Sequence, residues 1–434
     1  MYNVIFCWVG IVMYLINFSL LFRNRNFGLL YLGQAISFLG TMITSVAVPY
    51  QVYHLTHSTL MIGLCSLFQL APLLVTALFG GALADRYHRK KLLIIAEIFL
   101  ALGSLLFAFN TFNTSPKIWI IFLLSAFMSC FSGLHRPSFN SLMQQLLKKE
   151  DMASASTLTA FIVSFNMIAG PAFGGLIIAH FGLMNAYLVD FFSFAFSLLA
   201  ISLITTNCVL ENPSSGSPWA SIKEGLRYAW SRQELLGSYS VDFLAMIFGM
   251  PIALFPAIAQ NYEGAKTLGL LYSAPAAGAL ILSFMSGWTK KVKHHGRAIG
   301  IAAIFWGLAI VFFGLASNLY LALFFLMLAG AMDAVSGIFR STLWNETIPT
   351  RLRGRLSGIE MISYLSGPKL GDTESGLAAA CFGITFSVVS GGLLCIFSVM
   401  LCCFLLPQFW NYRSSISADS LSLADSDAVS EQTT

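Results

Sequence analysis

Runs of about 20 consecutive, almost wholly apolar residues recur along this chain, as in the stretch from Leu60 to Phe79. A helix of that length covers roughly 30 Å, the thickness of a bilayer's hydrocarbon core, because each residue adds about 1.5 Å. Strands of a membrane barrel would alternate polar and apolar residues over about ten positions, and these runs do not. The chain is therefore expected to be an all-α polytopic membrane protein. Composition agrees. Only 10% of the 434 residues are charged, against about a quarter in a soluble protein, and the mean hydropathy is +0.77. Too little polar surface exists to face water all round.

Twelve transmembrane helices are expected, near 28–52, 60–84, 92–111, 118–146, 154–179, 184–205, 236–259, 268–288, 298–316, 319–345, 357–385 and 386–407. The basic residues test that count. Loops on one side carry Arg23 and Arg25; Arg86, Arg89, Lys90 and Lys91; Lys148 and Lys149. The same side carries Lys223, Arg227 and Arg232; Lys290, Lys291, Lys293 and Arg297; Arg351, Arg353 and Arg355; and Arg413. The other side has only Lys117 and Lys266. This asymmetry places both termini in the cytoplasm.

Five segments follow. Residues 1–27 form an amino-terminal interfacial or cytoplasmic segment, 28–205 and 236–407 two six-helix bundles, and 408–434 a disordered cytoplasmic tail rich in Ser and Asp. The apolar stretch 1–22 reads as an interfacial helix, since a thirteenth span would not improve the charge pattern. Between the bundles lies a linker, 206–235, where Trp219, Ile222, Leu226 and Trp230 recur at the spacing of an amphipathic helix.

Other chemistries lack their signatures. The net charge of +5 is spread over short loops, so it does not point to nucleic acid. The eight cysteines show no metal-ligand spacing, and neither a P-loop nor a His-Glu-x-x-His occurs. No enzymatic activity, metal or cofactor is expected.

The two halves repeat. "SGLHRPSFNS" (132–141) matches "SGIFRSTLWN" (336–345), and "AGPAFGG" (169–175) matches "SGPKLGD" (366–372), at separations of roughly 200 residues. Gly81 and Gly287 each precede a basic loop. Six helices plus six is a transporter architecture, with a site between the repeats near the midplane.

These motifs resemble the major facilitator superfamily of transporters along nearly the whole chain. Its loop motif, Gly-x-Leu-Ala-Asp-Arg-x-Gly-Arg-Lys, is matched by Gly81, Leu83, Ala84, Asp85, Arg86, Arg89 and Lys90, with His88 in place of a glycine. The Gly-Pro-x-x-Gly-Gly of Gly170, Pro171, Gly174 and Gly175 resembles an antiporter motif that marks exporters in this superfamily. "VDFLAMIFGMPIALFPAIA" and "RLSGIEMISYLSGPKLGD" resemble the branch containing siderophore (enterobactin) exporters and macrolide efflux pumps.

The resemblance implies a secondary transporter in a bacterial inner (plasma) membrane, driven by the proton gradient. It implies export of a small metabolite of the siderophore class, with drug or macrolide efflux and iron–siderophore import as alternatives. Its partners are a small-molecule substrate and the bilayer, and it reads as a monomer. Gly81, Asp85, Arg86, Arg89 and Lys90 would form a cytoplasmic latch. Charges within spans face a cavity or a partner, because lipid penalises them. Asp242, Asp333, Lys369 and Asp372 are thus candidates for the substrate or proton site, and Glu97, Arg136, Arg340 and Glu360 for gate ion pairs, such as Arg340 with Glu360.

Overall fold

The computed structural model describes residues 18–113, 116–205, 224, 227–349 and 353–414, with the side chains of 78–86, 290, 353–355 and 357–362 outside that description. The long helices are α1 (Arg25–Thr56), α2 (Thr59–Arg86), α3 (Arg89–Phe112), α4 (Ile118–Leu146), α5 (Met152–Phe181) and α6 (Leu183–Ser202). They continue with α7 (Gln233–Phe248), α8 (Ala265–Phe284), α9 (His295–Gly314), α10 (Leu319–Thr347), α11 (Arg353–Phe382) and α12 (Ile384–Leu405). Among the described residues, eleven helices are long and apolar enough to cross a membrane, the stretch Gln233–Gln260 that includes α7 being one; α11 is the twelfth long helix. The expected all-α polytopic fold is what the chain adopts.

Local chemistry sets the helix ends. Asn24 caps α1, its side chain accepting from the Phe27 amide at 3.1 Å, and Asn318 caps α10 through Leu321 at 3.0 Å. Each bond satisfies an amide that a helix start leaves orphaned. A single glycine joins α5 to α6 and α11 to α12. Gly182 (φ +84°) and Gly383 (φ +92°) hold backbone angles that side chains disfavour.

Those two glycines lie 201 residues apart, and so do the starts of α4 and α10 (118 and 319) and of α5 and α11 (152 and 353). The repeat is therefore built into element boundaries. Its motifs sit in equivalent helices but about one turn off that register: 204 residues separate Gly133 from Gly337, and 197 separate Gly170 from Gly367.

One span departs from expectation. The region 236–259 is not a continuous helix. α7 stops at Phe248, a 3₁₀ turn spans Ile252–Leu254, and a short helix, Phe255–Gln260, follows. Pro251 and Pro256 lack the amide protons that a continuing ladder needs. The amphipathic helix expected around 219–230 and the tail beyond 414 fall mostly outside the described residues, as do residues 1–17; a short helix, Ser19–Arg23, precedes α1.

The chain divides into two compact units. The first comprises Met1–Pro218, Pro251–Ala276 and Pro368–Ser387; the second comprises Trp219–Met250, Ala277–Gly367 and Val388–Thr434. Within the first, α1 packs on α5 and α6, α3 on α4 and α6, and α2 on α4. Phe27, Tyr31, Leu93, Leu142 and Leu158 belong to one buried cluster there. Within the second, α9 packs on α10 and α7, and the helix Pro407–Trp410 closes on α7 and α9.

Candidate functional site

The first unit contains a cavity of about 350 Å³. Its polar wall includes Thr44, Ser66, Gln69, Tyr272, Lys369 and Asp372. Two of the charges expected at a substrate or proton site, Lys369 and Asp372, therefore lie on one cavity. The Lys369 ammonium donates to Gln69 Oε1 at 2.7 Å, and Ser66 Oγ donates to Asp372 Oδ2 at 2.7 Å. Asp372 is buried, and its second oxygen, Oδ1, has no hydrogen-bond partner among the described residues; neither has the Tyr272 hydroxyl. An ammonium carries three donors, so Lys369 keeps capacity beyond Gln69. The cavity thus offers a lysine, a carboxyl group and a phenol whose hydrogen-bonding capacity is not exhausted among the described residues.

These groups are placed by a polar seam between α2 and the outer part of α11. Thr59 donates to the Gly376 carbonyl (3.2 Å), Thr373 donates to the Gly63 carbonyl (3.1 Å), and then come the Ser66–Asp372 and Gln69–Lys369 bonds. Residues 59, 63, 66 and 69 share one helical face, and their partners descend from 376 to 369, so the two helices run antiparallel. Two glycines allow the approach. A Cβ on Gly63 would lie 2.8 Å from the Asp372 carbonyl oxygen, and one on Gly376 would lie 2.7 Å from that of Thr59. Ser66 and Gln69 are functional candidates that the sequence reading missed. Their signal was a polar pair three residues apart within an apolar run.

A second buried polar group lies in the same unit. Glu97, on α3, is fully buried and accepts from Gln34 (2.6 Å) and Ser197 (2.9 Å), with His135 Nε2 at 3.0 Å. It is thus held by an imidazole one residue from Arg136, whose own side chain is exposed. Asp190, on α6, is also fully buried and accepts from Thr44 (2.7 Å) and Ser104 (2.6 Å). Asp190 is another omission of the sequence reading, although an acid within an apolar span was signal enough.

The antiporter-like motif is a packing device on both its faces. Gly170, Pro171, Gly174 and Gly175 are all buried in α5. Gly170 and Gly174 face α1: a Cβ would stand 2.3 Å from the Met42 Cβ in the first case and 3.3 Å from the Ile43 Cα in the second. Gly175 faces α8, where a Cβ would stand 2.4 Å from the Ala265 carbonyl oxygen and 2.9 Å from the Gly269 Cα. Helices this close gain van der Waals contact that larger residues forbid.

The latch motif is partly described. Gly81, Asp85 and Arg86 lie where side chains are outside the description, although their backbone completes α2. Arg89 donates to the Ser141 carbonyl at 3.3 Å. Lys90 donates to the carbonyls of Ser202 (3.0 Å) and Ile204 (2.6 Å), satisfying acceptors left open at the end of α6.

In the second unit, Arg340 on α10 contacts Asp242 on α7 and lies 3.8 Å from Asp333. Two candidates for the substrate or proton site therefore share one guanidinium. Its expected partner Glu360 has a side chain outside the description.

Comparison with known proteins agrees with this architecture. Residues 19–428 match the model of a family described as Transmembrane secretion effector. The chain is 28% identical over 394 residues to the enterobactin exporter EntS of Shigella flexneri, covering 89% of this chain and 93% of that one. It is 28% identical over 396 residues to EntS of Escherichia coli O81 (strain ED1a), covering 89% and 94%. Among solved structures, a POT family transporter in complex with 5-aminolevulinic acid superposes with a TM-score of 0.71 at 12% identity, over 89% of this chain and 97% of the other. A bacterial homologue of the human lysosomal transporter Spinster, inward-facing and unoccupied, gives 0.71 at 15%, over 91% and 98%. At such identities the structures speak to fold alone.

Proposed function

The chain belongs to the transmembrane secretion effector family of the major facilitator superfamily and is a multi-pass secondary transporter; from that premise we propose that it exports a siderophore-like small metabolite by proton-coupled alternating access. The observation that carries this reading is the cavity beside the α2–α11 seam, where Lys369, Asp372 and Tyr272 present unspent hydrogen-bonding capacity. A catechol-type ligand supplies the matching chemistry. Its phenol protons suit a carboxylate acceptor, and its phenolate or carbonyl oxygens suit an ammonium. A cavity of about 350 Å³ is in the range of small-ligand sites. Likeness to enterobactin exporters supports the same substrate class.

Lys369 is the proposed anchor and Asp372 the proposed proton carrier at this cavity. A carboxylate that both accepts from Ser66 and faces the cargo can exchange a proton for a bound donor without leaving its position. Asp242 and Asp333, shared by Arg340, form a second candidate proton site. The two repeat bundles 28–205 and 236–407 are the proposed moving bodies, Asp85 the proposed latch, and the inner bacterial membrane the proposed location, with both termini in the cytoplasm.

The test is flux of a catecholate siderophore into inside-out vesicles holding the purified protein. Uptake that rises with an imposed inward-acid gradient is expected. Absence of siderophore flux together with macrolide flux under the same gradient would replace the substrate assignment. Gradient-independent flux would remove proton coupling.

A further inference from the structure

The second unit holds a groove lined by none of the residues of the cavity described above. It has a volume of about 400 Å³ and lies among α8, the 3₁₀ turn Ser286–Lys291, α9 and α10. One end is basic, bordered by Lys293, His294 and Arg297. The rest is apolar, with Ile301 and Phe305 continuing from Arg297 along one face of α9 at intervals of four residues. From Arg297 to Phe305 the helix rises about 12 Å, at about 1.5 Å per residue. Trp288 stands at the basic end, 43% exposed, while Ile301 and Phe305 are 46% and 50% exposed.

Exposed apolar residues on a membrane helix ordinarily mean only general contact with lipid. Concavity and charge set this face apart. Lys293 and Arg297 are exposed, and no described carboxylate pairs with either. Arg297 is held in place by a hydrogen bond to Asn411 Oδ1 at 2.9 Å and by the Trp410 ring, whose centre is 6.0 Å from the guanidinium carbon. The buried carboxylate of Glu346 is turned to other partners: His295 at 3.6 Å, Tyr412 at 2.9 Å and Ser414 at 2.6 Å. It does not neutralise the rim. A cation pair beside an apolar trough, with Arg297 held in place and an indole alongside, is complementary to a phosphate joined to an acyl chain.

We propose that this groove binds one anionic phospholipid, with its phosphate held by Lys293, His294 and Arg297 and an acyl chain laid along Ile301 and Phe305. The lipid belongs to the leaflet on the basic side of the protein.

The full-length protein in detergent is titrated with phosphatidylglycerol or with phosphatidylcholine of the same chain length, and retained lipid is counted by native mass spectrometry. One phosphatidylglycerol is expected to survive where phosphatidylcholine is lost. Lys293→Gln and Arg297→Gln should each weaken retention about fivefold, since a basic residue near an anionic surface contributes about 1 kcal/mol. Lys117→Gln, in the loop before α4, should leave it unchanged. Ala298→Trp, which fills the groove but keeps its cations, should displace the lipid. Equal retention of phosphatidylcholine, or phosphatidylglycerol binding untouched by the double variant Lys293→Gln/Arg297→Gln, overturns the proposal. Displacement of the lipid by soluble glycerol phosphate at similar concentrations would overturn it too, by reducing the site to a phosphate pocket. The exposed position of Lys293 keeps its variant informative should Ala298→Trp fail to fold.

Discussion

Lys369 combines two roles that a substitution can separate. Lys369→Gln keeps an amide donor for Gln69 Oε1 and removes the charge from the cavity. Hydrogen bonds to charged groups are worth about 1.5–3 kcal/mol, so catecholate flux in vesicles should fall at least about tenfold. Membrane abundance should remain normal. Flux that survives would remove Lys369 as the proposed anchor. Arg340 invites a different test. Arg340→Ala leaves Asp242 and Asp333 without the cation they share, and breaking a buried pair from one side costs about 3–5 kcal/mol. Its thermal midpoint should drop well below that of the double variant Arg340→Ala/Asp242→Ala, in which the more deeply buried of the two stranded carboxylates is gone. Equal midpoints would mean that the cluster contributes through packing alone.

Between elements, small residues decide which helices approach closely. Gly175→Ala places a methyl group against the backbone of α8, which has no flexible end to yield, whereas Gly174→Ala meets Ile43 at 3.3 Å and needs only a slight adjustment. Overpacking typically costs about 1–3 kcal/mol. Gly175→Ala should therefore lower both thermal stability and flux, and Gly174→Ala should change either only slightly; equal effects would refute the two-sided reading of the motif. The sequence repeat alone would treat such glycines as equivalent across halves, but their surroundings differ. A Cβ on Gly133 would collide with Thr76 Oγ1 at 2.2 Å, while among the described residues one on Gly337 would meet Arg340 alone, at 3.8 Å. The Ser-Gly pair recurs in both helices, and its described surroundings differ between them.

For the whole molecule, the distribution of Lys and Arg predicts one measurable outcome. Tags fused to residue 1 and to residue 434 should both be shielded from protease outside intact cells and cleaved once the membrane is opened. One accessible tag in intact cells would overturn the even span count. Most of the architecture was legible before any coordinates: α4 begins and ends where hydropathy placed it, and ten further spans differ by a few residues at their ends. The break in the seventh span was foreshadowed by Pro251 and Pro256, yet the apolar composition around them masked it. Of the site, Lys369 and Asp372 were visible as charges in lipid-spanning sequence, whereas Ser66 and Gln69 acquired meaning only as their partners.

The division has a physical cause. Crossing a bilayer demands apolar length and internally satisfied backbone, and both are properties of one contiguous segment, so sequence alone determined that this chain is a twelve-helix membrane protein and which loops carry its positive charge. Which face of each helix meets another is a different matter. Lipid tails are as apolar as a neighbouring helix, so a packed face and a lipid face look alike in hydropathy. Only the tertiary structure could decide that α2 and α11 run antiparallel along a polar seam, that Glu97 is held by Gln34, Ser197 and His135, and that Arg340 serves two aspartates.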